Sequence, residues 1–366
     1  MNYKIVAIIE AVALIAIIIG FAFYSVFAGS KTITITGTGS TFVAPLVQKW
    51  SEGFNALTGA QVIYESTGSG TGVKQFTNKT VDFGASDPPM KDSEFAAAPG
   101  ALHLPETVGG TVVIYNIANV NVELNFTGEV LADIFMLNIT RWNDARLAQL
   151  NPGVSLPNQP IYVVHRSDSS GTTKIFTSFL SDTNAVWNRT YGASNTINWP
   201  TSEDGEKGSS NVAGAVERNS YSIGYVELTY ALSNHILYGK IWNAAAKEYV
   251  EPTFDTLSAA ASSVSLNLPH GNQSWASVGS YFKNVSTGYP ITSFSYILVY
   301  RELNVVPDMT MEKAKAFTWF LWFAVHDGQS YSRALSYVPL PQVVVTLDEA
   351  TLRMITFNGQ QVNNWS

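Results

Sequence analysis

The chain has 366 residues, more than a single core usually serves, and 46% of them are apolar, so a packed protein of two lobes is expected. Only 13% are charged, about half of the ~25% usual in globular domains, and the net charge is −7 with no basic run, which argues against a nucleic-acid partner. Cysteine is absent, which removes disulfides, thiolate metal sites, a cysteine nucleophile and a lipidated N-terminal cysteine together.

Met1 to Lys4 is a weakly basic start, followed by an apolar stretch from Ile5 to Ala28 broken only by Glu10. At about 1.5 Å per residue this stretch reaches across a hydrocarbon core of about 30 Å. Val26-Phe27-Ala28 resembles the cleavage site of a signal peptide, but the apolar run is long for one, so an uncleaved anchor is favoured. Either reading places the remainder outside the membrane. Sequons at Asn78, Asn125, Asn138, Asn188, Asn272, Asn284 and Asn364 agree with an external, glycosylated surface.

From Lys31 the pattern becomes strand, glycine loop, helix. Thr32 to Thr36 alternates and is β-branched, and Ala44 to Leu57 sets Leu46, Val47, Trp50 and Phe54 on one helical face. Gln61 to Glu65 reads as a second strand, Val73 to Phe76 as a short helix, and Val81 to Asp87 as a strand closed by Pro88-Pro89. Beyond Pro105 come a strand at 111–115, a helix around 130–135, a strand at 161–165 and a helix from about Thr172 to Leu180. Further on, a short helix is expected near Val212 to Val216 and a strand at Ser222 to Glu227. Signals between 240 and 289 are poor, with helical stretches at Thr256 to Ala261 and Trp275 to Phe282. Tyr296 to Tyr300 is a strand, and Met311 to Val325 a helix whose Phe317, Phe320, Leu321 and Phe323 read as core. Leu347 to Ile355 suggests a terminal helix packed on the first lobe.

The order implies an α/β protein of two lobes, each a mixed, mostly parallel sheet flanked by helices, with the ligand in the interlobe cleft. The expected segments are 1–29 as anchor or signal, 30–105 as the first part of lobe I, 106–290 as lobe II, and 291–366 as the return to lobe I with a C-terminal extension. Two crossings between lobes make a hinge suited to closure on a ligand.

Three Gly/Ser/Thr-rich loops each run into a helix-like segment: Thr36-Gly-Thr-Gly-Ser-Thr-Phe42, Thr67-Gly-Ser-Gly-Thr-Gly72 and Arg166-Ser-Asp-Ser-Ser-Gly-Thr-Thr173. Free N–H groups at a helix N-terminus and nearby hydroxyls are how a backbone grips an oxyanion, and glycine allows close approach. A single loop of this kind is usually just a turn or an N-cap, whereas three favour an anion site. His103, His165, His235, His270 and His326 show no metal-ligand spacing, so neither a metal nor another cofactor is expected.

Ile35 to Pro45, Val81 to Met90 and His165 to Thr173 closely resemble segments of the phosphate-binding proteins of high-affinity phosphate ABC transporters, which have a type II periplasmic-binding-protein-like fold. Arg141-Trp-Asn-Asp144, Asn198-Trp-Pro200, Ser222 to Glu227 and Tyr337-Val-Pro-Leu-Pro341 extend the resemblance from about Thr32 to Val344. It implies an extracytoplasmic, monomeric, non-enzymatic receptor that captures inorganic phosphate and delivers it to ABC permease subunits. By the same resemblance Thr41 gives a hydroxyl, Phe42 a backbone N–H, Ser69 a hydroxyl and a backbone donor, Arg166 the cation, and Ser170, Gly171 and Thr172 a helix cap around the anion, with Ser40, Gly70 and Asp168 in support.

Asp87 then sets specificity. An ionised carboxylate accepts hydrogen bonds and cannot donate, so it suits phosphate, which still carries a proton, and repels fully ionised sulfate. Alternatives are a receptor for sulfate, molybdate or tungstate, a phosphate-ester hydrolase, and a phosphate sensor without a transporter. Thr71 departs from the family's usual second loop, and the lipid-anchor cysteine often found there is missing.

Overall fold

The computed structural model describes residues 32–200, 205–280, 282 and 285–363. The expected membrane segment and the sequons at Asn284 and Asn364 lie outside these residues. Among the described residues no helix is long and apolar enough to cross a membrane. Asn78, Asn138, Asn188 and Asn272 are exposed, whereas the Asn125 amide is half-buried and donates to the Leu150 carbonyl at 3.2 Å.

Strand β1 (Thr34–Gly39) runs into helix α1 (Ala44–Thr58), which buries Leu46, Val47, Trp50 and Phe54 on the face its periodicity set out. Pro45 is tolerated in the first turn, where its missing N–H has no intrahelical partner in any case. Strand β2 (Gln61–Ser66) and strand β3 (Phe83–Ser86) both pair in parallel with β1. Between them helix α2 spans Ser69–Thr77, so the second glycine loop is itself the first turn of a helix longer than the expected 73–76. Gly72 makes this possible, because a Cβ there would lie 2.6 Å from both Gly39 Cα and the Ala85 carbonyl oxygen.

Strand β4 (Ala101–Asn116) is sixteen residues long and buried nearly throughout, where the sequence had indicated only 111–115. Pro105 and the Gly109-Gly110 pair broke the expected pattern. In the fold the missing side chains are filled by neighbours, since Cβ atoms on those glycines would lie 2.6 Å from the Phe42 ring and 2.7 Å from Leu257 Cδ2. Strand β5 (Tyr162–Val163), helix α3 (Gly171–Thr183), helix α4 (Gly208–Arg218) and strand β6 (Ser222–Glu227) follow. The chain then returns through strand β7 (Thr292–Tyr300), helix α5 (Met311–Val325) and the terminal helix α6 (Gln342–Leu352).

The main sheet has the order β2-β1-β3-β7-β4-β6-β5. Strand β4 belongs to both halves: residues 101–110 pair with β7 and residues 111–116 with β6, both antiparallel. The register of β4 on β7 slips once, from Ser295 opposite Thr107 to Tyr296 opposite Pro105, which leaves Glu106 as the extra residue of a β-bulge. The aromatic face of α5 is core, as expected: Phe83 lies 6.0 Å from Phe317 and 5.8 Å from Phe320, and Phe54 5.5 Å from Phe320, centroid to centroid. The terminal helix packs on α5 and β4 and buries Asp348, whose carboxylate burial pushes far above the usual range.

Candidate anion-binding site

The first glycine loop ends β1 and delivers Ser40, Thr41 and Phe42 to the carboxyl end of the parallel strands, all at most 4% exposed. Gly39 takes φ 138°, and a Cβ there would lie 2.1 Å from the Ala85 carbonyl oxygen, so only glycine permits this approach of β1 to β3. Ser40 Oγ donates a short hydrogen bond to Asp87 Oδ1 and accepts from the Phe42 N–H at 3.0 Å. The Phe42 amide, expected as a direct anion donor, is therefore turned onto Ser40. Two phenols from distant segments hold the loop, Tyr230 donating to the Thr41 carbonyl and Tyr337 to the Phe42 carbonyl.

Asp87, at the end of β3, is 1% exposed and nearly saturated with donors. Besides Ser40, Ser69 Oγ donates to its Oδ2 and Ser295 Oγ reaches its Oδ1, each at 3.1 Å. Two carboxylate oxygens offer about four acceptor positions, so roughly one remains. Burial raises the Asp87 pKa to about 6, while the hydrogen bonds from Ser40, Ser295 and Ser69 and the Arg166 charge restrain the rise. Asp87 is thus mostly ionised at neutral pH.

The third loop closes on the same point from the other half of the molecule. Ser170 caps α3, its Oγ accepting from the Thr173 N–H at 3.1 Å. Gly171 follows so closely against Asp87 that a Cβ on it would lie 2.3 Å from Asp87 Oδ2 and from Ser69 Oγ. The Gly70 N–H donates to the Ser169 carbonyl at 3.0 Å, joining the second loop to the third. Thr172 Oγ1 is buried without a hydrogen-bond partner. The helix geometry leaves the first amides of α3 unbonded within the helix and directed toward the same side.

Arg166 is 3% exposed and held on both sides. Its Nε and Nη2 each donate to the Asp168 carboxylate at 2.6 Å, and its Nη1 donates to Ser209 Oγ at 3.2 Å. Two of the five guanidinium N–H donors remain for a ligand. Burial pushes the Asp168 carboxyl up, but the hydrogen bonds and charge of Arg166 outweigh it and hold the group below its ordinary value. Ser209 also shares a hydrogen bond with Thr41 Oγ1 at 2.9 Å, which links the first loop to the cation.

The structure therefore brings Thr41, Phe42, Ser69, Asp87, Arg166, Ser170, Gly171 and Thr172 together, with Ser40, Gly70 and Asp168 beside them. Sequence reasoning missed Ser209, Ser295 and Glu106. Ser209 had a signal, since Lys207-Gly-Ser-Ser-Asn211 is a fourth glycine-serine loop opening a helix. Ser295 and Glu106 had none, lying in an apolar strand and before a glycine pair. A cavity of 810 Å³ runs beside the cluster, lined from one half by Gly70, Ser86 and Pro88 and from the other by Lys174 and Ser178. The donors themselves are closed over and do not line it. Among the described residues no group of histidines and carboxylates could hold a metal ion.

The sequence profile of the PBP superfamily domain matches residues 25–322. The phosphate-binding protein PstS of Pasteurella multocida is 39% identical over 329 residues, covering 88% of this chain and 91% of its own length. This chain belongs to the PstS family. The PstS protein of Methanocaldococcus jannaschii, 35% identical over 340 residues, covers 89% of this chain and 87% of its own length. Solved structures share the fold at lower identity. A high-affinity periplasmic phosphate-binding protein (PfluDING) bound with phosphate superposes with a TM-score of 0.67 at 20% identity, covering 87% of this PstS-family chain and 93% of its own. A phosphate-binding protein from Stenotrophomonas maltophilia gives 0.67 at 20% identity, covering 88% and 94%. These neighbours have the two-lobed α/β architecture expected from the sequence.

Proposed function

We propose that this chain captures inorganic phosphate between its lobes and delivers it to an ABC permease for import. The observation that carries the reading is the meeting of a buried, hydroxyl-lined Asp87 with a buried Arg166 and the N-terminus of α3. Thr41, Ser69, Arg166, Ser170, Gly171 and Thr172 supply donors to a tetrahedral oxyanion, and Phe42 joins them when its amide turns from Ser40 to the ligand. Asp87 takes the ligand's own proton. Ser40, Gly70 and Asp168 hold these groups in place.

The relatives' names point the same way, each being called a phosphate-binding protein. Affinity does not require a basic surface. Micromolar binding is about −8 kcal/mol, and hydrogen bonds to charged groups contribute about 1.5 to 3 kcal/mol each. No bond is made or broken in this function, and release requires only that the lobes part.

Lobe I consists of residues 30–105 with 291–366, and lobe II of 106–290. A two-lobe division is supported by β4, whose residues 101–110 pair with β7 and whose residues 111–116 pair with β6, so the pairing changes lobes within β4, beyond residue 110 and not at 105. The protein acts outside the cytoplasm as a monomer, held to the membrane by residues 5–28, and its exposed sequons at Asn78, Asn138, Asn188 and Asn272 accept glycans.

Titration calorimetry with phosphate, arsenate, sulfate and molybdate tests the reading. Phosphate and arsenate are expected to bind, with sulfate weaker by about a hundredfold or more from the unpaired, repulsive contact at Asp87. Absence of phosphate heat, or equal affinity for sulfate, overturns it.

A further inference from the structure

Beneath Asp87 lies a second buried carboxyl group that the binding mechanism leaves unused. Glu106 is fully buried and is the extra residue of the bulge in β4. A bulge re-aims a side chain that a regular ladder would turn to the other face. The backbone carbonyl freed from the ladder here accepts from Gln329 Nε2 at 2.9 Å, which holds the bulge. The side chain reaches Ser295, whose Oγ lies 2.8 Å from Glu106 Oε1 and 3.1 Å from Asp87 Oδ1.

A hydroxyl has one proton to donate. Ser295 stands between two carboxyl groups and cannot donate to both, so one of them must donate to it. Asp87 already accepts from Ser40 and Ser69, whereas Glu106 Oε2 is buried with no partner at all. We infer that Glu106 is a positioning residue for the anion site: it carries a proton, donates it to Ser295 Oγ, and so commits the Ser295 hydroxyl to Asp87, keeping Asp87 an acceptor. The inference rests on the phosphate-binding reading and adds a second layer to it.

The electrostatics agree. Burial raises the Glu106 pKa to about 8, the Ser295 hydrogen bond restrains the rise, and the Asp87 charge adds to it. The charged group acting on Glu106 is Asp87 from the end of β3, and Glu106 in turn acts on Tyr64 of β2, whose phenol is pushed up by burial and by the Glu106 and Asp87 charges. Within the site Arg166 couples to Asp87, and from outside it Glu227 does.

A bound oxyanion brings more negative charge next to Asp87, so it holds the Glu106 proton more tightly than the free site does. Proton and anion therefore bind with positive linkage, and phosphate affinity falls as pH rises through the free-state titration of Glu106. Once ionised, Glu106 also competes with Asp87 for the Ser295 hydrogen. Glutamine at this position keeps an N–H donor for Ser295 and cannot ionise.

The test is phosphate calorimetry on the full chain and on Glu106→Gln, from about pH 6.5 to about pH 9.5, with Glu106→Ala as a third protein. The full chain and Glu106→Gln should bind alike at the lower pH. At the upper end the full chain should have lost about tenfold more affinity than the glutamine variant, a factor of ten per pH unit being the limit for one linked proton. Glu106→Ala should bind more weakly than Glu106→Gln throughout. Superimposable pH profiles for the full chain and Glu106→Gln overturn the role of Glu106 while leaving phosphate capture intact; no binding by the full chain at the lower pH overturns phosphate capture itself. Infrared spectroscopy of the unsubstituted chain decides the question if the variants do not fold. The difference spectrum between neutral and upper pH should show the loss of a protonated buried acid's carbonyl band, over any band that the buried Asp348 and Glu227 keep, and no such loss overturns the inference.

Discussion

The two halves of the site handle charge in opposite ways. On the Arg166 side the charges are paired: the guanidinium is clamped by Asp168, and the carboxyl is held below its ordinary value. On the Asp87 side a carboxylate is surrounded by neutral hydroxyls and pushed up to about 6, with only the more distant Arg166 charge in its favour. On the proposed function, the Arg166 side would respond to net charge and accept any oxyanion. The Asp87 side would respond to whether the oxyanion still carries a proton. That reading assigns affinity and selectivity to different residues, and substitutions should separate them.

The largest effect is expected from Arg166→Ala. Removing one member of a buried, hydrogen-bonded pair leaves Asp168 uncompensated beside the anion, at a cost of about 2 to 5 kcal/mol. Calorimetry should show phosphate and sulfate weakened together, by about three hundredfold at the middle of that range. A loss confined to phosphate would contradict the division of labour.

Next comes Asp87→Asn, which exchanges an acceptor for a group that can also donate. Phosphate-over-sulfate discrimination should fall by about a hundredfold, because the repulsive contact to sulfate is gone. The unsubstituted protein should show part of this effect in acid. Since the Asp87 pKa is raised to about 6, its protonated fraction grows as pH falls from neutral through that value, and a protonated Asp87 donates to sulfate. Competition measured at about pH 5 should show weaker discrimination than at about pH 7. Constant discrimination across that range would remove Asp87 from selectivity.

The smallest of the three is Gly171→Ala. The new Cβ would lie 2.3 Å from both Asp87 Oδ2 and Ser69 Oγ, so the halves must part slightly to admit it. Overpacking of this kind costs about 1 to 3 kcal/mol, which corresponds to a phosphate affinity roughly tenfold lower with the sulfate ratio unchanged. Unaltered affinity would mean that the closed contact between the halves is not used in binding.

Much of this arrangement was legible in the chain. The helix at Met311–Val325 ran over the residues its aromatic stripe predicted, and α1 buried the four side chains its periodicity chose. Anion-gripping loops were visible because glycine, serine and a following helix are local signals. What escaped depends on partners far along the chain. Strand β4 was read as short because Pro105 and two glycines interrupt it, and only the pairing with β7 shows that the interruption is a bulge with packed glycines. Glu106 gains its direction from that bulge, and Ser295 its meaning from facing two carboxyl groups. Neither can be read from neighbours in sequence.

The clamps on the first loop carry a consequence for how the protein is made. Thr41 and Phe42 emerge early, yet their carbonyls are fastened by Tyr230 and Tyr337, which stand 189 and 295 residues later. Contacts this distant in the chain form only after long loops have closed. The part of the binding surface synthesised first is therefore completed last, and a growing chain cannot hold its ligand until almost all of it has been produced and folded back on its beginning.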